Sequence, residues 1–325
     1  MDGTGGDACT AETDSAFCMR LGKTCEMVNA NDNCGRPRTA NCGSCNNAQV
    51  CVANVCGPPA CSSLTFGNQQ PLVSVNASGL QDAVQAITPN GSSILFQRGT
   101  TFCAPYNLFL ADEMPPGSGS YAAMDITGVA ALGGMNVTAE QNLTMTADGK
   151  TLIGATTDQK HFVASTRSTL GQADFGAASG TDFAAISPTG SQIIGSPYVS
   201  PDGLAFYYVI AGDPDPNVNG IYEALRPAIG APYPAGARMP DPVQQYSYVT
   251  ATSSDRMALF VQDASFTMFV LTRQSLSAPF ANPNAPNPPP MVPGWRTRPL
   301  VDCSKLIGTC NGGCPNEDTC SWTRM

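Results

Sequence analysis

Oxygen-bearing side chains alternate along a short proline-rich stretch and could bind a cation. They are Asp213, Asp215, Asn217 and Asn219. From Asp215 to Gly220 the order matches the first half of an Asp-x-Asn-x-Asn-Gly calcium loop, but Arg226 stands where an EF-hand places its bidentate glutamate. A polar hairpin loop ending in an Asn-Gly turn explains the same residues. Calcium is therefore a candidate ligand, and no cofactor is expected to be required.

Two carboxylates could perform acid–base chemistry. Asp82 and Glu140 precede the innermost strands of the first two predicted repeats, nearest a central channel. Glycoside hydrolysis needs such an acid and a base converging on one bond. The competing explanation is that both are ordinary acidic side chains of solvated loops, without a catalytic role.

Aromatic side chains are predicted near the starts of inner strands, where they could stack against sugars or a peptide. They are Tyr198, Tyr246, Tyr248 and Trp295. Packing between neighbouring sheets is the competing explanation for aromatic residues in such a protein.

The 14 cysteines indicate disulfides rather than thiol chemistry. Eight lie in the first 57 residues: Cys9, Cys18, Cys25, Cys34, Cys42, Cys45, Cys51 and Cys56. The other six are Cys61, Cys103, Cys303, Cys310, Cys314 and Cys320. Such density is typical of disulfide frameworks formed in an oxidising compartment. Zinc is the alternative, but Cys42-Gly-Ser-Cys45 has no second CxxC pair and the one histidine, His161, is distant.

Export is the expected fate of such a chain. The first residues, Met1-Asp-Gly-Thr-Gly-Gly, show neither the basic nor the apolar region of a signal peptide. No apolar stretch approaches the length of a transmembrane segment. We expect an extracellular, cell-surface or periplasmic protein whose signal has been removed.

Composition and motifs exclude several classes of function. The net charge of −9 argues against nucleic acid, whose phosphates require clustered Lys and Arg. One histidine, inside a repeated strand position, makes a Ser-His-Asp or Cys-His arrangement a poor explanation. No phosphate loop or dinucleotide-binding motif occurs.

A repeat from about residue 64 onward must position these side chains. A turn of the Ser-Pro-Asp-Gly type recurs, and an apolar strand follows each copy. The anchoring Asn or Asp lies at 90, 148, 202, 255 and 302, in steps of 58, 54, 53 and 47 residues. Asn-Gly and Asp-Gly supply the positive φ angles that tight hairpins need. Each copy therefore predicts a strand, a tight turn and a second strand.

A third strand follows each pair. Four of these strands end in an arginine, namely Arg167, Arg226, Arg273 and Arg324, and the first has Asp112 there. An aromatic residue then opens the predicted fourth strand, at Phe175, Tyr233 and Phe280. Four antiparallel strands in about fifty residues describe a propeller blade.

The two ends of the repeat predict a closed ring. The last copy stops after its third strand. Residues of about 64–76, at the start of the repeat region, have the pattern of the missing fourth strand. The sequence thus predicts an all-β fold, a five-bladed β-propeller closed by its N-terminal strand. We expect a disulfide between this segment and the last blade, for example from Cys61 to Cys303 or Cys320. A β-sandwich with coincidental turns is the alternative.

Three segments follow from this organisation: a disulfide-rich module at 1–57, a linker at 58–63 and the propeller at 64–325. The module contains one aromatic residue, Phe17, so a spacer or tether is favoured over a ligand-binding module. From Ala8-Cys-Thr-Ala-Glu-Thr-Asp to Asn41-Cys-Gly-Ser-Cys, it resembles cysteine-rich modules of exported myxobacterial proteins. The resemblance implies secretion or surface display and no activity.

The repeats resemble those of TolB-like periplasmic and extracellular propellers. The resemblance lies in turns such as Ser200-Pro-Asp-Gly and third strands such as Val163-Ala-Ser-Thr-Arg. It departs at Arg256 and Cys303, where glycine is usual. It implies a scaffold and does not identify a ligand.

The favoured hypothesis is a non-catalytic propeller that binds a carbohydrate or a protein through one face of its ring. An extracellular glycoside hydrolase using Asp82 and Glu140 is the first alternative. A self-assembling structural subunit of an extracellular assembly is the second.

Overall fold

The computed structural model describes residues 9–25, 27–44, 50–52, 55–57, 66–72, 74–77, 80–100, 107–136, 142–264, 267–281, 295–299, 305–310 and 318–324. The chain divides into two compact units, Met1–Ala60 and Cys61–Met325. Across these described ranges, no helix is long and apolar enough to cross a membrane.

The described part of the first unit combines one short helix with two small hairpins. Helix α1 is Asp14–Arg20, and the strands are β1 (Met27–Asn31), β2 (Pro37–Asn41), β3 (Val50–Val52) and β4 (Val55–Gly57). β1 pairs with β2 and β3 pairs with β4, both antiparallel. Thr13 caps the helix because its hydroxyl accepts a hydrogen bond from the backbone nitrogen of Ala16 at 3.2 Å.

Disulfides cross-link the small core of this unit. Its buried cluster consists of Phe17, Cys18, Val28 and Ala40. Cys9 is bonded to Cys34 and Cys18 to Cys42, and Cys25 is also disulfide-bonded. Because few apolar side chains are buried in the described part of the unit, the cross-links must contribute much of its stability.

The described strands of the second unit form five antiparallel sheets. The first contains β6 (Gln81–Ile87), β7 (Ser93–Gly99), β8 (Asn107–Glu113) and β9 (Tyr121–Asp125). The second contains β10 (Leu143–Met145), β11 (Thr151–Ala155) and β12 (Phe162–Thr166), and the third β13 (Ile193–Val199), β14 (Ala205–Ala211), β15 (Gly220–Leu225) and β16 (Ala237–Arg238). The fourth contains β17 (Tyr248–Thr252), β18 (Ala258–Gln262) and β19 (Met268–Thr272). The fifth contains β20 (Trp295–Pro299), β21 (Lys305–Cys310), β22 (Asp318–Arg324) and β5 (Phe66–Pro71).

Successive sheets pack against each other. The first strands touch in series, β6 with β10, β10 with β13, β13 with β17, β17 with β20, and β20 with β6. Strand β5, from the start of the unit, pairs antiparallel with β22 near its end. Three buried clusters lie between the first and second, second and third, and third and fourth sheets. The second unit is thus an all-β assembly of successive antiparallel sheets.

The repeated turn joins the first and second strands of a sheet. In the third sheet, the Asp202 carboxylate accepts a hydrogen bond from the backbone nitrogen of Leu204 at 3.0 Å, and Gly203 follows with φ of 68°. Arg256 takes the same left-handed conformation in the fourth sheet, with φ of 57°, so this turn forms without glycine. Its Nε lies 3.0 Å from the Asp202 carboxylate, an ion pair between the third and fourth sheets.

The strand register corrects one detail of the predicted repeat. The backbone nitrogen of Glu113 bonds to Ser92, just as that of Arg167 bonds to Lys150. Glu113 therefore takes the register of the repeated arginines. Asp112 lies opposite Ser93 and faces the other side of its sheet.

The fourth strands are shorter than predicted in two sheets. In the second and fourth sheets, the fourth position is a single bridge, Ala164 to Ser179 and Thr272 to Ala281. In the second, third and fourth sheets, the aromatic residue predicted to open the fourth strand lies against the repeated arginine instead. The guanidinium-to-ring distances are 5.8 Å for Arg167–Phe175, 4.5 Å for Arg226–Tyr233 and 4.4 Å for Arg273–Phe280.

Candidate functional site

Asp82, the first candidate acid, is the second residue of β6, and its side chain is fully buried. Arg98 lies opposite it on β7 and binds both carboxylate oxygens, Nε to Oδ1 at 2.7 Å and Nη2 to Oδ2 at 3.1 Å. The same guanidinium lies 5.0 Å from the Phe96 ring and 4.7 Å from the Phe109 ring. A carboxylate bound this way is poorly placed to exchange protons with a substrate.

Glu140, the predicted partner of Asp82, lies outside the described residues. The structure therefore gives no separation between the two carboxyl groups. Motifs did not indicate Arg98, although an arginine near the end of the strand Ser93-Ile-Leu-Phe-Gln-Arg-Gly, which contains three large apolar residues, is a signal for a charged partner.

The four candidate aromatic residues do not lie together. Tyr248 begins β17 and Trp295 begins β20, and these two strands touch each other. Tyr246 is half-buried, two residues before β17. Tyr198 is the sixth residue of β13, is buried, and accepts a hydrogen bond on its hydroxyl from the backbone nitrogen of Thr252 at 3.0 Å. Tyr198 thus packs near the end of β17, whereas Tyr246 and Tyr248 lie at its start.

Two buried amides lie on first and second strands. Gln81 begins β6, and Gln262 ends β18 directly opposite Tyr248. Both side chains are buried, and in the described part of the chain neither amide has a hydrogen-bond partner. Buried amides are normally satisfied by protein groups, ordered water or a ligand. The strand end that carries Tyr248 therefore also carries a buried amide beside it.

The candidate calcium loop is held by its own hydrogen bonds. Asp213 accepts from Gln192 on Oδ2 at 2.6 Å and from the backbone nitrogen of Asp215 on Oδ1 at 2.7 Å. Asp215 accepts from the Asn217 nitrogen, and Asn219 from the Asp213 nitrogen, both at 2.9 Å. Within the described ranges, no three His, Cys, Asp or Glu side chains are grouped as a metal site would require.

Chelation is expected to leave the melting temperature of the protein unchanged, because these carboxylates already accept hydrogen bonds. Thermal unfolding followed by circular dichroism in calcium and in chelator measures this. A calcium-dependent rise of several degrees, as linkage of a bound ion to folding would cause, would contradict the expectation. Loss of that rise in Asp215→Asn, but not in the exposed control Asp158→Asn, would locate the ion in this loop.

The cysteine predictions are tested only in the first unit. Cys51 and Cys56 are opposite each other in the register of β3 and β4. The strands β21 and β22 include Cys310 and Cys320. Outside the described residues lie Cys45, Cys61, Cys103, Cys303 and Cys314, and with them the predicted bridge to the last repeat.

Comparisons with known proteins find distant structural neighbours. No protein-family model matches the sequence, and neither does any curated protein. The resemblance of residues 8–57 to myxobacterial modules therefore has no support. The class that emerges is an all-β protein of antiparallel sheets with propeller-like structural neighbours.

Three solved structures illustrate this similarity. The catalytic domain of a GH62 α-L-arabinofuranosidase from Coprinopsis cinerea is 10% identical, with a TM-score of 0.46 over 81% of this chain and 98% of that one. A putative TolB from Agrobacterium tumefaciens is 14% identical, with a TM-score of 0.39 over 74% and 76%. The Cps50 (Swd1) β-propeller domain from Myceliophteria thermophila is 11% identical, with a TM-score of 0.35 over 74% and 83%. At these TM-scores the similarities assign no activity.

Proposed function

We propose that Cys61–Met325 is a five-bladed β-propeller closed by its N-terminal strand. The cyclic order of contacts among the first strands supports this, because β20 returns to β6. The pairing of β5 with β22 supplies the fourth strand of the last sheet from the start of the unit. A ring joined in this way has no unpaired edge where its ends meet.

We propose that this propeller is a non-catalytic binding domain for a carbohydrate or a protein. The observation that carries the proposal is the state of Asp82, whose two carboxylate oxygens are bound by Arg98 beneath the surface. An acid–base pair requires a carboxyl group that can reach the substrate and change its protonation. Asp82 is instead a structural ion-pair residue, which favours binding over hydrolysis.

The proposed binding surface is the ring face at which the first strands begin. Tyr246 and Tyr248 are half-buried there, so each ring is partly accessible, and Trp295 begins the neighbouring first strand. Aromatic faces bind the apolar faces of sugars and the side chains of peptides. The amide of Gln262, opposite Tyr248 in the strand register, adds polar groups beside it.

The proposed location is extracellular, cell-surface or periplasmic. The disulfides Cys9–Cys34 and Cys18–Cys42 support it, because such bonds form and persist in oxidising compartments. The disulfide-rich first unit would then act as a spacer or tether.

A glycan array tests the proposed function, with binding followed over hours in calcium and in chelator. We expect stable, saturable binding, weakened about tenfold or more by Tyr248→Ala, since a buried aromatic contact contributes about 1–2 kcal/mol. Tyr198→Phe is the matched control and should leave binding unchanged, because Tyr198 lies at the other end of the strands.

Other results would redirect the proposal. A hydrolase would be established by a signal that decays in the wild type as the glycan is consumed. In Asp82→Asn the same signal should then persist undiminished, because the glycan is bound but not cleaved. A blank array, with large particles in light scattering, would favour the assembly subunit.

A further inference from the structure

Three repeated arginines share one position in the second unit. Arg167, Arg226 and Arg273 each follow the third strand of a sheet. Each donates from Nε to a carbonyl of the repeated turn: Gly149 at 3.0 Å, Gly203 at 2.6 Å and Arg256 at 2.9 Å. The three guanidinium groups are thus built into equivalent places, so differences in their remaining partners are informative.

The Arg167 guanidinium is completed by a carboxylate from the preceding sheet. Nη1 of Arg167 donates to Asp112 Oδ2 at 2.6 Å, and Nη2 donates to Oδ1 at 2.7 Å. The backbone nitrogen of Gly171, four residues after the arginine, donates to the same Oδ2 at 2.7 Å. At this arginine position, a carboxylate is therefore bound by two Nη groups and one backbone nitrogen.

No such carboxylate completes the Arg273 guanidinium. In the preceding sheet the residue at the register of Asp112 is Leu225, which is 47% exposed. Glu223, two residues earlier, approaches Arg273 Nη1 only to 3.9 Å, and its Oε1 already accepts the Tyr207 hydroxyl at 2.7 Å. The Arg273 side chain is nevertheless 4% exposed, and its Nη atoms donate to no described residue. Guanidinium donors that no protein group accepts are completed by water or by a ligand.

A cleft of about 260 Å³ lies against this guanidinium, between the third and fourth sheets. Besides Glu223, Arg273 and Ser277, its walls include Arg238, Met239, Pro240, Leu276, Pro279 and Phe280. Most of that wall is apolar, and Leu276 is 50% exposed. Two arginines face one glutamate, so the cleft carries a net positive charge. Ser277 lines the cleft and stands four residues after Arg273, the same spacing as Gly171 after Arg167.

We propose that this cleft binds a small monocarboxylate with an apolar body, such as a short-chain fatty acid. The carboxylate takes the place on Arg273 that Asp112 takes on Arg167, bound by the Nη groups and the Ser277 nitrogen. The apolar body lies between Met239, Leu276 and Phe280. The volume accommodates a chain of roughly six to eight non-hydrogen atoms, since a water molecule occupies about 30 Å³. This site is separate from the proposed binding face and does not depend on it.

Ligand titrations of the whole chain test the proposal, with hexanoate as the probe and saturation-transfer NMR or calorimetry as the readout. We expect a Kd of about 1 mM, typical of a ligand of this size with one charged contact. Hexanamide keeps the apolar body without the charge and should bind about tenfold more weakly or worse. Equal binding of hexanoate and hexanamide would overturn the role of Arg273.

Two variants locate the site. Arg273→Gln should weaken hexanoate binding about tenfold or more, whereas Arg226→Gln, at the equivalent position one sheet earlier, should not change it. Leu225→Asp places a carboxylate where Asp112 stands in the first sheet, and should abolish hexanoate binding while maintaining or raising the melting temperature. That variant keeps the test valid even if Arg273→Gln fails to fold. Unchanged hexanoate binding in a folded Leu225→Asp protein would refute the proposal.

Discussion

Replacing Asp112 with asparagine is expected to lower the free energy of unfolding of the second unit by about 3–5 kcal/mol, the usual cost of breaking a buried ion pair. Asp112 and Arg167 have side-chain exposures of 1% and 0%. They connect the first sheet to the second, and Ser93 adds a hydrogen bond to Asp112 Oδ1 at 2.6 Å. The amide of asparagine keeps the shape but leaves the Arg167 charge buried without its counter-ion.

The same carboxylate makes stability depend on pH. Burial acts to raise the pKa of Asp112, but hydrogen bonds from Arg167, Ser93 and the Gly171 nitrogen outweigh it and hold the pKa below its ordinary value. A carboxyl group whose pKa is lowered by folding stabilises the protein above its unfolded pKa of about 3.9, and that contribution is lost as pH falls through the folded pKa. Unfolding free energy should therefore fall below about pH 4 in the wild type, and less steeply in Asp112→Asn.

Chemical denaturation at pH 7 and at lower pH measures both effects. The control is Asp182→Asn, an exposed aspartate whose replacement should change stability by no more than about 0.5 kcal/mol. The double variant Asp112→Leu with Arg167→Met should be more stable than Asp112→Asn, because it removes both charges together. A loss below about 1 kcal/mol in Asp112→Asn would contradict the structural role given to this pair.

The repeated turns could be predicted from the sequence because the residues that determine them are close together in the chain. A Ser or Thr, an Asp and a glycine within four residues specify the turn by themselves, as at Ser200, Asp202 and Gly203. Strand register depends on pairing with another segment, so motif alignment placed Asp112 where Glu113 belongs. The single-bridge ends of the second and fourth sheets were likewise not predictable, because an aromatic residue after an arginine suits both a strand and a stacked contact.

The candidate site was less predictable because its chemistry depends on contacts between distant residues. Asp82 has the sequence environment of a candidate acid, and only its pairing with Arg98, sixteen residues later, assigns it a structural role. Tyr198 likewise resembles Tyr248 in sequence, yet lies near the opposite end of β17. The Arg273 cleft could not be inferred at all, since it is defined by a carboxylate present beside Arg167 and replaced by Leu225 one sheet before Arg273.

Removing the disulfide between Cys18 and Cys42 is expected to unfold the first unit at 37 °C. This bond closes a loop with a sequence separation of 24 residues, for which chain-entropy estimates give about 3 kcal/mol of stabilisation. Among its described residues, the unit buries a handful of apolar side chains around Phe17, which leaves little other stabilising free energy. The double variant Cys18→Ala with Cys42→Ala tests this without creating a free thiol.

Hydrogen exchange of the backbone amides in α1, β1 and β2 measures the outcome. Their protection should be lost in the double variant, whereas strands of the second unit should keep theirs, because that unit has its own buried clusters between sheets. Cys9→Ala with Cys34→Ala is the matched comparison: it removes a loop of similar length, with a separation of 25 residues, but its cysteines lie outside the buried cluster. Unfolding in both variants would assign the stability to the closed loops. Unfolding only in the first would assign it to the packing of Cys18 and Cys42 against Phe17, and retained protection in both would show that the small core suffices without cross-links.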